Sequence, residues 1–144
     1  MRQDGFFTDK QPIFRAKVTG VSRSAVLNLA VDTGADPAVL LSEDWSTSLD
    51  LQPIASDDAI LANGSKAATQ LGIAEVEWLG EPRLIYVTIF TGVDVGVGPR
   101  PDSRPQRGGQ ANGLVGYGLL QFGRLTIDYI NRQVSLENVT AEGA

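Results

Sequence analysis

Short apolar or alternating runs, ended by glycine, proline or Asn-Gly, are the feature that most restricts the fold of this 144-residue chain. Apolar and polar residues alternate over 13–19, which is the period of a strand with one buried face. Further strands are expected at 25–31, 38–41, 57–62, 65–79, 84–91, 125–129 and 134–136, with a bulge at Gly72. One short helix is expected over 43–49, with Ser42 as its N-cap, and residues 117–122 are compatible with one or two helical turns. The pattern predicts an all-β fold with one short helix.

The length favours a single domain over residues 1–144, with its core between about 12 and 138. Residues 92–112 are rich in Gly, Pro and Arg and are expected to form a long loop. Residues 138–144 are expected to be a frayed tail.

The composition removes several classes of function. The chain has no histidine and no cysteine, which excludes His-based nucleophilic hydrolysis and zinc sites built on His or Cys. Its net charge of −5 argues against a nucleic-acid surface. No apolar stretch approaches the roughly 20 residues of a membrane span, and the N-terminus lacks a signal-peptide core. We therefore expect no metal, cofactor, nucleic acid or membrane contact, and a cytoplasmic location is favoured.

Asp32-Thr33-Gly34-Ala35 lies between two apolar runs, 26–31 and 37–41. Asp, Thr and Gly are ordinary turn formers, so the motif alone is compatible with a simple turn. Its context adds two features in order, which are an Asn63-Gly64 hairpin and the apolar loop Leu114-Val115-Gly116. With carboxylates as the main acid–base groups left, this order points to carboxylate chemistry at Asp32.

The chain resembles the retropepsin-like aspartic proteases, the single-lobed family of retroviral proteases and their cellular and bacterial relatives. The matching segments are residues 29–36, 61–65, 114–120 and 125–129. The resemblance spans residues 13–137. It implies a closed barrel and a symmetric homodimer with one active site on the two-fold axis. Because this chain has one Asp-Thr-Gly, the second catalytic Asp32 would come from a second copy.

The resemblance also implies roles for individual residues. The two copies of Asp32 would share a proton and activate a water that attacks a peptide bond. Thr33 would hydrogen-bond across the dimer axis, and Gly34 and Ala35 would complete the catalytic loop. The substrate, a peptide or protein, would contact Asp36, the wall residues Leu114 and Val115, and a flap formed by Ala62, Asn63, Gly64 and Ser65.

The chain departs from the retroviral pattern after Gly116. Retroviral members place Arg-Asn or Arg-Asp there, whereas this chain has Tyr117-Gly118. The usual ion-pair partner of Asp36 is therefore missing from this position.

Two other functions remain open from the sequence. One is a non-catalytic dimerisation or peptide-binding module on the same fold. The other, less favoured, is a β-barrel adaptor excised from a larger polyprotein or membrane protein.

Overall fold

The computed structural model describes residues 1–60, 63–92, 95–99 and 110–138. Its strands are β1 (Arg2–Asp4), β2 (Phe6–Thr8), β3 (Gln11–Thr19), β4 (Ser24–Val31), β5 (Val39–Ser42), β6 (Pro53–Ile60), β7 (Lys66–Trp78), β8 (Glu81–Phe90), β9 (Gly113–Val115), β10 (Arg124–Asp128) and β11 (Gln133–Glu137). Two short helices accompany them, α1 (Glu43–Ser48) and α2 (Tyr117–Leu120). The all-β class expected from the sequence is confirmed.

The strands form two sheets. The larger has the order β2-β3-β4-β9-β5-β8-β7-β6, and the smaller has the order β1-β11-β10. An additional antiparallel pairing joins β3 to β7 through Val18–Val76 and Thr19–Glu75. Hydrogen-bonded neighbours therefore run from β3 through β4, β9, β5, β8 and β7 back to β3, so the large sheet returns upon itself.

One main cluster of apolar side chains forms the core. Alternate residues of β3 point into it, and Phe14 and Val18 are fully buried. Phe14 packs edge-on against Trp78 with ring centroids 5.4 Å apart. The Trp78 Nε1–H donates a hydrogen bond to the Leu119 carbonyl at 3.0 Å, which satisfies the one polar atom of this buried ring. This bond also ties α2 to the end of β7.

Several local expectations need correction. The strands β1 and β2 lie outside those expected, while α2 lies within the helical turns expected over 117–122, so the fold has two short helices and not one. Ser42 is the N-cap residue of α1, but its side chain makes no capping hydrogen bond. The bulge lies in β6 between Pro53 and Ala55, opposite Gly72 rather than at it. Neither helix of the described ranges has the length or apolar composition needed to cross a membrane.

The loop expected at 92–112 is described only in part, and its described residues Val97 and Asn112 are anchored by hydrogen bonds. The Trp45 Nε1–H donates to the Val97 carbonyl at 2.6 Å. Asn112 also donates to that carbonyl, at 3.1 Å, and accepts from the Asn28 N–H at 2.8 Å. These bonds fix the chain beside α1 and at the entry to β9. The tail expected at 138–144 lies outside the described residues except for Asn138.

Candidate active site

The Asp32 loop is positioned by a strand that arrives from far along the sequence. The strand β9 lies between β4 and β5, parallel to β4 and antiparallel to β5. Val115 is therefore paired with Val31 on one side and with Val39 on the other. The loop 32–38 leaves the sheet between these pairs and crosses the end of β9.

Backbone hydrogen bonds hold this loop against residues 115–118. The Asp32 N–H donates to the Val115 carbonyl at 3.0 Å, and the Gly116 N–H donates to Ala38 at 3.0 Å. The N–H groups of Tyr117 and Gly118 donate to the carbonyls of Ala35 and Asp36, at 2.8 and 3.1 Å. The Asp32 loop is thus in direct contact with residues 115–118, which form a second loop.

Glycines in the second loop make this contact possible. A Cβ at Gly116 would lie 2.6 Å from the Ala35 carbonyl oxygen and would also meet the Pro37 carbonyl. A Cβ at Gly118 would lie 2.7 Å from the backbone of Ala38. Because either side chain would separate the loops, the Gly-Tyr-Gly sequence is a packing requirement here.

Asp32 itself is partly exposed, at the point where β4 ends. Its Oδ1 accepts a hydrogen bond from the Gly34 N–H at 3.2 Å, and its carbonyl accepts one from Ala35 at 3.2 Å. Thr33 and Gly34 are exposed. A Cβ at Gly34 would meet only Asp32 Oδ1, at 3.6 Å, which is ordinary contact. Nothing described in the single chain therefore requires glycine at this position.

Leu114 and Val115 face opposite sides of the sheet, as neighbours in a strand do. Val115 is fully buried in the main core. Leu114 is half-buried in a second, smaller cluster with Ala35, Leu40 and Phe90. Leu114 is thus the member of the pair with side-chain surface near the Asp32 loop.

The expected hairpin is formed by β6 and β7, with Ile60 opposite Lys66. At its end, Asn63 Oδ1 accepts from the Ser65 N–H at 2.9 Å and from the Ser65 hydroxyl at 2.6 Å. Gly64 has a φ of 85°, the left-handed region that favours glycine. Ala62 lies outside the described residues. No hydrogen bond joins residues 63–65 to the Asp32 loop within the described ranges.

Asp36 is exposed and lines a cavity of about 600 Å³ that the sequence did not indicate. Among the described residues the ion pairs are Arg2–Asp4 and Arg83–Glu81, and neither includes Asp36. Arg83 also lines this cavity. The sequence could have indicated Arg83, because it is a charged residue at the same alternating positions as Ile85, Val87 and Ile89, whose side chains face inward from β8.

In the described ranges no three acidic side chains come together in a way that could hold a metal ion.

The chain is an all-β domain in which the loop that carries Asp32 is hydrogen-bonded to a second loop that contains glycines. These two features define its structural class. The solved structure of EIAV protease complexed with the inhibitor HBY-793 has a similar fold, with a TM-score of 0.50 over 78% of this chain and 88% of that chain. Sequence identity is 15%, so the likeness concerns the fold, which is retropepsin-like. No family model matches the sequence, and no curated protein does.

Proposed function

We propose that this protein is an aspartic endopeptidase that hydrolyses peptide bonds as a homodimer, with one Asp32 from each subunit. The observation that carries the proposal is the hydrogen-bonded contact between the Asp32 loop and residues 115–118, which supports a carboxylate held rigidly at the end of β4. The retropepsin-like fold supports the same conclusion.

A dimer is part of the proposal because one carboxylate cannot perform this chemistry alone. Two carboxylates a few ångströms apart do not both ionise, so the pair holds one proton. The ionised member takes a proton from a bound water as that water attacks the peptide carbonyl carbon. The protonated member donates to the carbonyl oxygen. The exposed face formed by Thr33 and Gly34 is the surface where the second subunit would meet the first.

The substrate in this proposal is an extended peptide. It would bind by main-chain hydrogen bonds, with alternate side chains in pockets on either side. Leu114 would contribute an apolar wall, and Asp36 would accept hydrogen bonds from the peptide backbone. Residues Asn63, Gly64 and Ser65, with Ala62, would cover the bound peptide as a flap.

The test is the substitution Asp32→Asn, assayed with a mixed peptide library at several pH values. We expect cleavage to disappear while thermal unfolding and the dimer mass stay unchanged. Inhibition of the wild-type protein by a transition-state analogue of aspartic proteases is the matching positive result. Cleavage that survives in a pure Asp32→Asn preparation would rule the proposal out.

A second candidate is a peptide-binding or dimerisation module without turnover. The feature that favours it is Asp36, which forms no ion pair in the described ranges and has no arginine after Gly116. Peptide binding by the wild-type protein, with no cleavage at any pH from 3 to 8, would support this module instead.

A further inference from the structure

The cavity beside Asp36 is formed by four parts of the fold, one of which is Leu71 of β7. The loop after Asp32 contributes Asp36 and Pro37, and α2 and the residues after it contribute Gly118 and Phe122. The strand β8 contributes Arg83 and Thr88. A volume of about 600 Å³ can hold one or two side chains of a bound peptide.

Strand register connects this cavity to the candidate site. Leu114 is paired with Leu40, and Leu40 is paired with Thr88. Thr88 is paired in turn with Leu71 on the hairpin strand β7, and both Thr88 and Leu71 line the cavity. Paired residues lie on the same face of a sheet, so the wall provided by Leu114 continues across three further strands into the cavity.

The sheet face around the cavity is exposed and apolar. Leu84 and Tyr86 are 77% and 61% exposed, and Ile73, the partner of Tyr86, is 38% exposed. A ligand here would therefore be largely apolar where it meets the sheet.

Arg83 lines the same cavity from the other face of β8, in phase with the inward-facing Ile85, and is its basic residue. Its side chain is 19% exposed, and its Cζ lies 3.9 Å from the centroid of the Phe122 ring. Its Nη2 is 3.3 Å from Glu81 Oε2, but the Glu81 side chain is 70% exposed, so this is a weak surface pair. The buried Nε–H has no acceptor among the described residues. The guanidinium is thus fixed in orientation and left with unused donors.

We propose that this cavity binds a carboxylate carried by an otherwise apolar peptide, and that Arg83 is the residue that recognises it. Planar guanidinium groups bind carboxylates through two parallel N–H donors, and Nε and Nη2 form such a pair. A bound carboxylate would replace Glu81 at Nη2 and accept from the Nε–H, which is buried and has no acceptor among the described residues. A phosphate, with its second negative charge, fits less well because Asp36 contributes its own charge to the wall. This inference rests on the proposed function, since it defines the substrate class of that site as peptides with an acidic residue.

The experiment measures binding to the full-length Asp32→Asn protein, so that peptides are not consumed. Acetylated, amidated apolar octapeptides carry one Glu or one Gln at each position in turn, and affinity is followed by fluorescence polarisation. At one position we expect Glu to bind about 10-fold more tightly than Gln, the scale of one charge-assisted hydrogen bond. A further peptide without Glu but with a free C-terminus tests whether Arg83 binds a terminal carboxylate in place of a Glu side chain.

Substitutions then test the residue. Arg83→Gln in the Asp32→Asn background should make the Glu and Gln peptides equal, while Arg23→Gln, at an exposed arginine outside the cavity, should leave the preference intact. If Arg83→Gln does not fold, Glu81→Gln serves in its place. That substitution removes the competing carboxylate and should increase the Glu preference by at least about 3-fold.

The two proposals fail separately. Equal binding of Glu and Gln peptides, a preference that survives Arg83→Gln, or one that is unchanged in Glu81→Gln would overturn the role of Arg83. If the wild-type protein cleaves peptides in an Asp32-dependent way but shows no preference for acidic peptides, the proposed protease function stands and the role of Arg83 is wrong. An acidic preference in a protein that never cleaves would leave Arg83 as the recognition group of a binding module.

Discussion

Three glycines near Asp32 differ in what a side chain would meet there. Gly116 and Gly118 lie against the backbone of the loop 35–38, where a side chain would force the two segments apart. Gly34 has free space within the subunit, since a Cβ built there would meet only Asp32 Oδ1, at 3.6 Å. In the proposed dimer, the space beside Gly34 would be taken by the second copy or by a bound peptide.

Alanine at these positions should separate the two kinds of requirement. Gly34→Ala should leave the free energy of unfolding of the monomeric subunit within about 1 kcal/mol of wild type. Gly116→Ala should destabilise it by about 1–3 kcal/mol because the methyl group has no room. Peptide cleavage by Gly34→Ala should nevertheless fall roughly 100-fold, since small displacements of reacting groups cost that much.

Urea unfolding at a concentration where the protein is monomeric provides the stability comparison. If Gly34→Ala proves as destabilising as Gly116→Ala, the requirement for glycine at position 34 lies within the chain and not at an interface.

The hairpin of β10 and β11 is organised by its own turn. The Asn131 N–H and the Ile130 N–H each donate to Asp128 Oδ1 at 3.0 Å, and Asn131 Nδ2 donates to Oδ2 at 2.8 Å. The backbone bond from Asn131, followed by its side-chain bond, lowers the pKa of Asp128 below its ordinary value of 3.8. The hairpin supports β1 through the Arg2–Glu137 and Asp4–Ser135 pairs.

A lowered pKa in the folded state gives a defined pH dependence. The folded protein holds Asp128 ionised more strongly than the unfolded chain does, so its contribution is fully present above the unfolded pKa. We expect the stability difference between wild type and Asp128→Asn to be constant above about pH 5 and to shrink as the pH falls below 3.8. Asn131→Ala, which keeps the backbone bond, should give a smaller difference with the same direction.

Urea unfolding from pH 7 to pH 2 measures this difference. A gap between the two proteins that widened on acidification would contradict the assignment of the lowered pKa to Asp128.

At the scale of the whole molecule, the proposed active site is complete only in a pair of subunits. The Asp32 loop is rigidly fastened within one chain, but its Thr33–Gly34 face is open. If the site is shared across a two-fold axis, activity depends on the concentration of dimers and not on the total concentration of protein.

Mixing subunits tests this property directly. When wild-type protein is equilibrated with an equal amount of Asp32→Asn protein, about one quarter of the dimers carry two Asp32 residues. Cleavage per wild-type subunit should therefore fall to about half, and it should fall further with excess Asp32→Asn. Activity that stays proportional to the wild-type protein alone would show that each subunit works independently.

The sequence predicted those parts of the fold that carry long periodic patterns. Alternation over 13–19 anticipated β3, and the resemblance to retropepsin-like proteases assigned Asp32 and Leu114 to one site. It did not reveal β1 and β2, since strands of three residues are too short to show a period and owe their extended form to pairing with β11 and β3.

Two features of the site depend on tertiary packing and could not be read from residue order. The sequence treated Leu114 and Val115 alike, and only the neighbouring strands decide that Val115 faces the core. Likewise, Arg83 belongs to a cavity because Phe122, which follows α2, packs on its guanidinium from 39 positions away in the chain.

The insertion of β9 between β4 and β5 also governs when the protein can acquire its site. Asn28 and Asn112 are hydrogen-bonded across a separation of 84 residues, and such distant pairings form slowly because a large loop must close first. During synthesis the segment around Asp32 leaves the ribosome long before its partner Val115 exists. Nascent chains and fragments that end before residue 116 would therefore carry the acidic motif without its support, and under the proposed function they would be inactive.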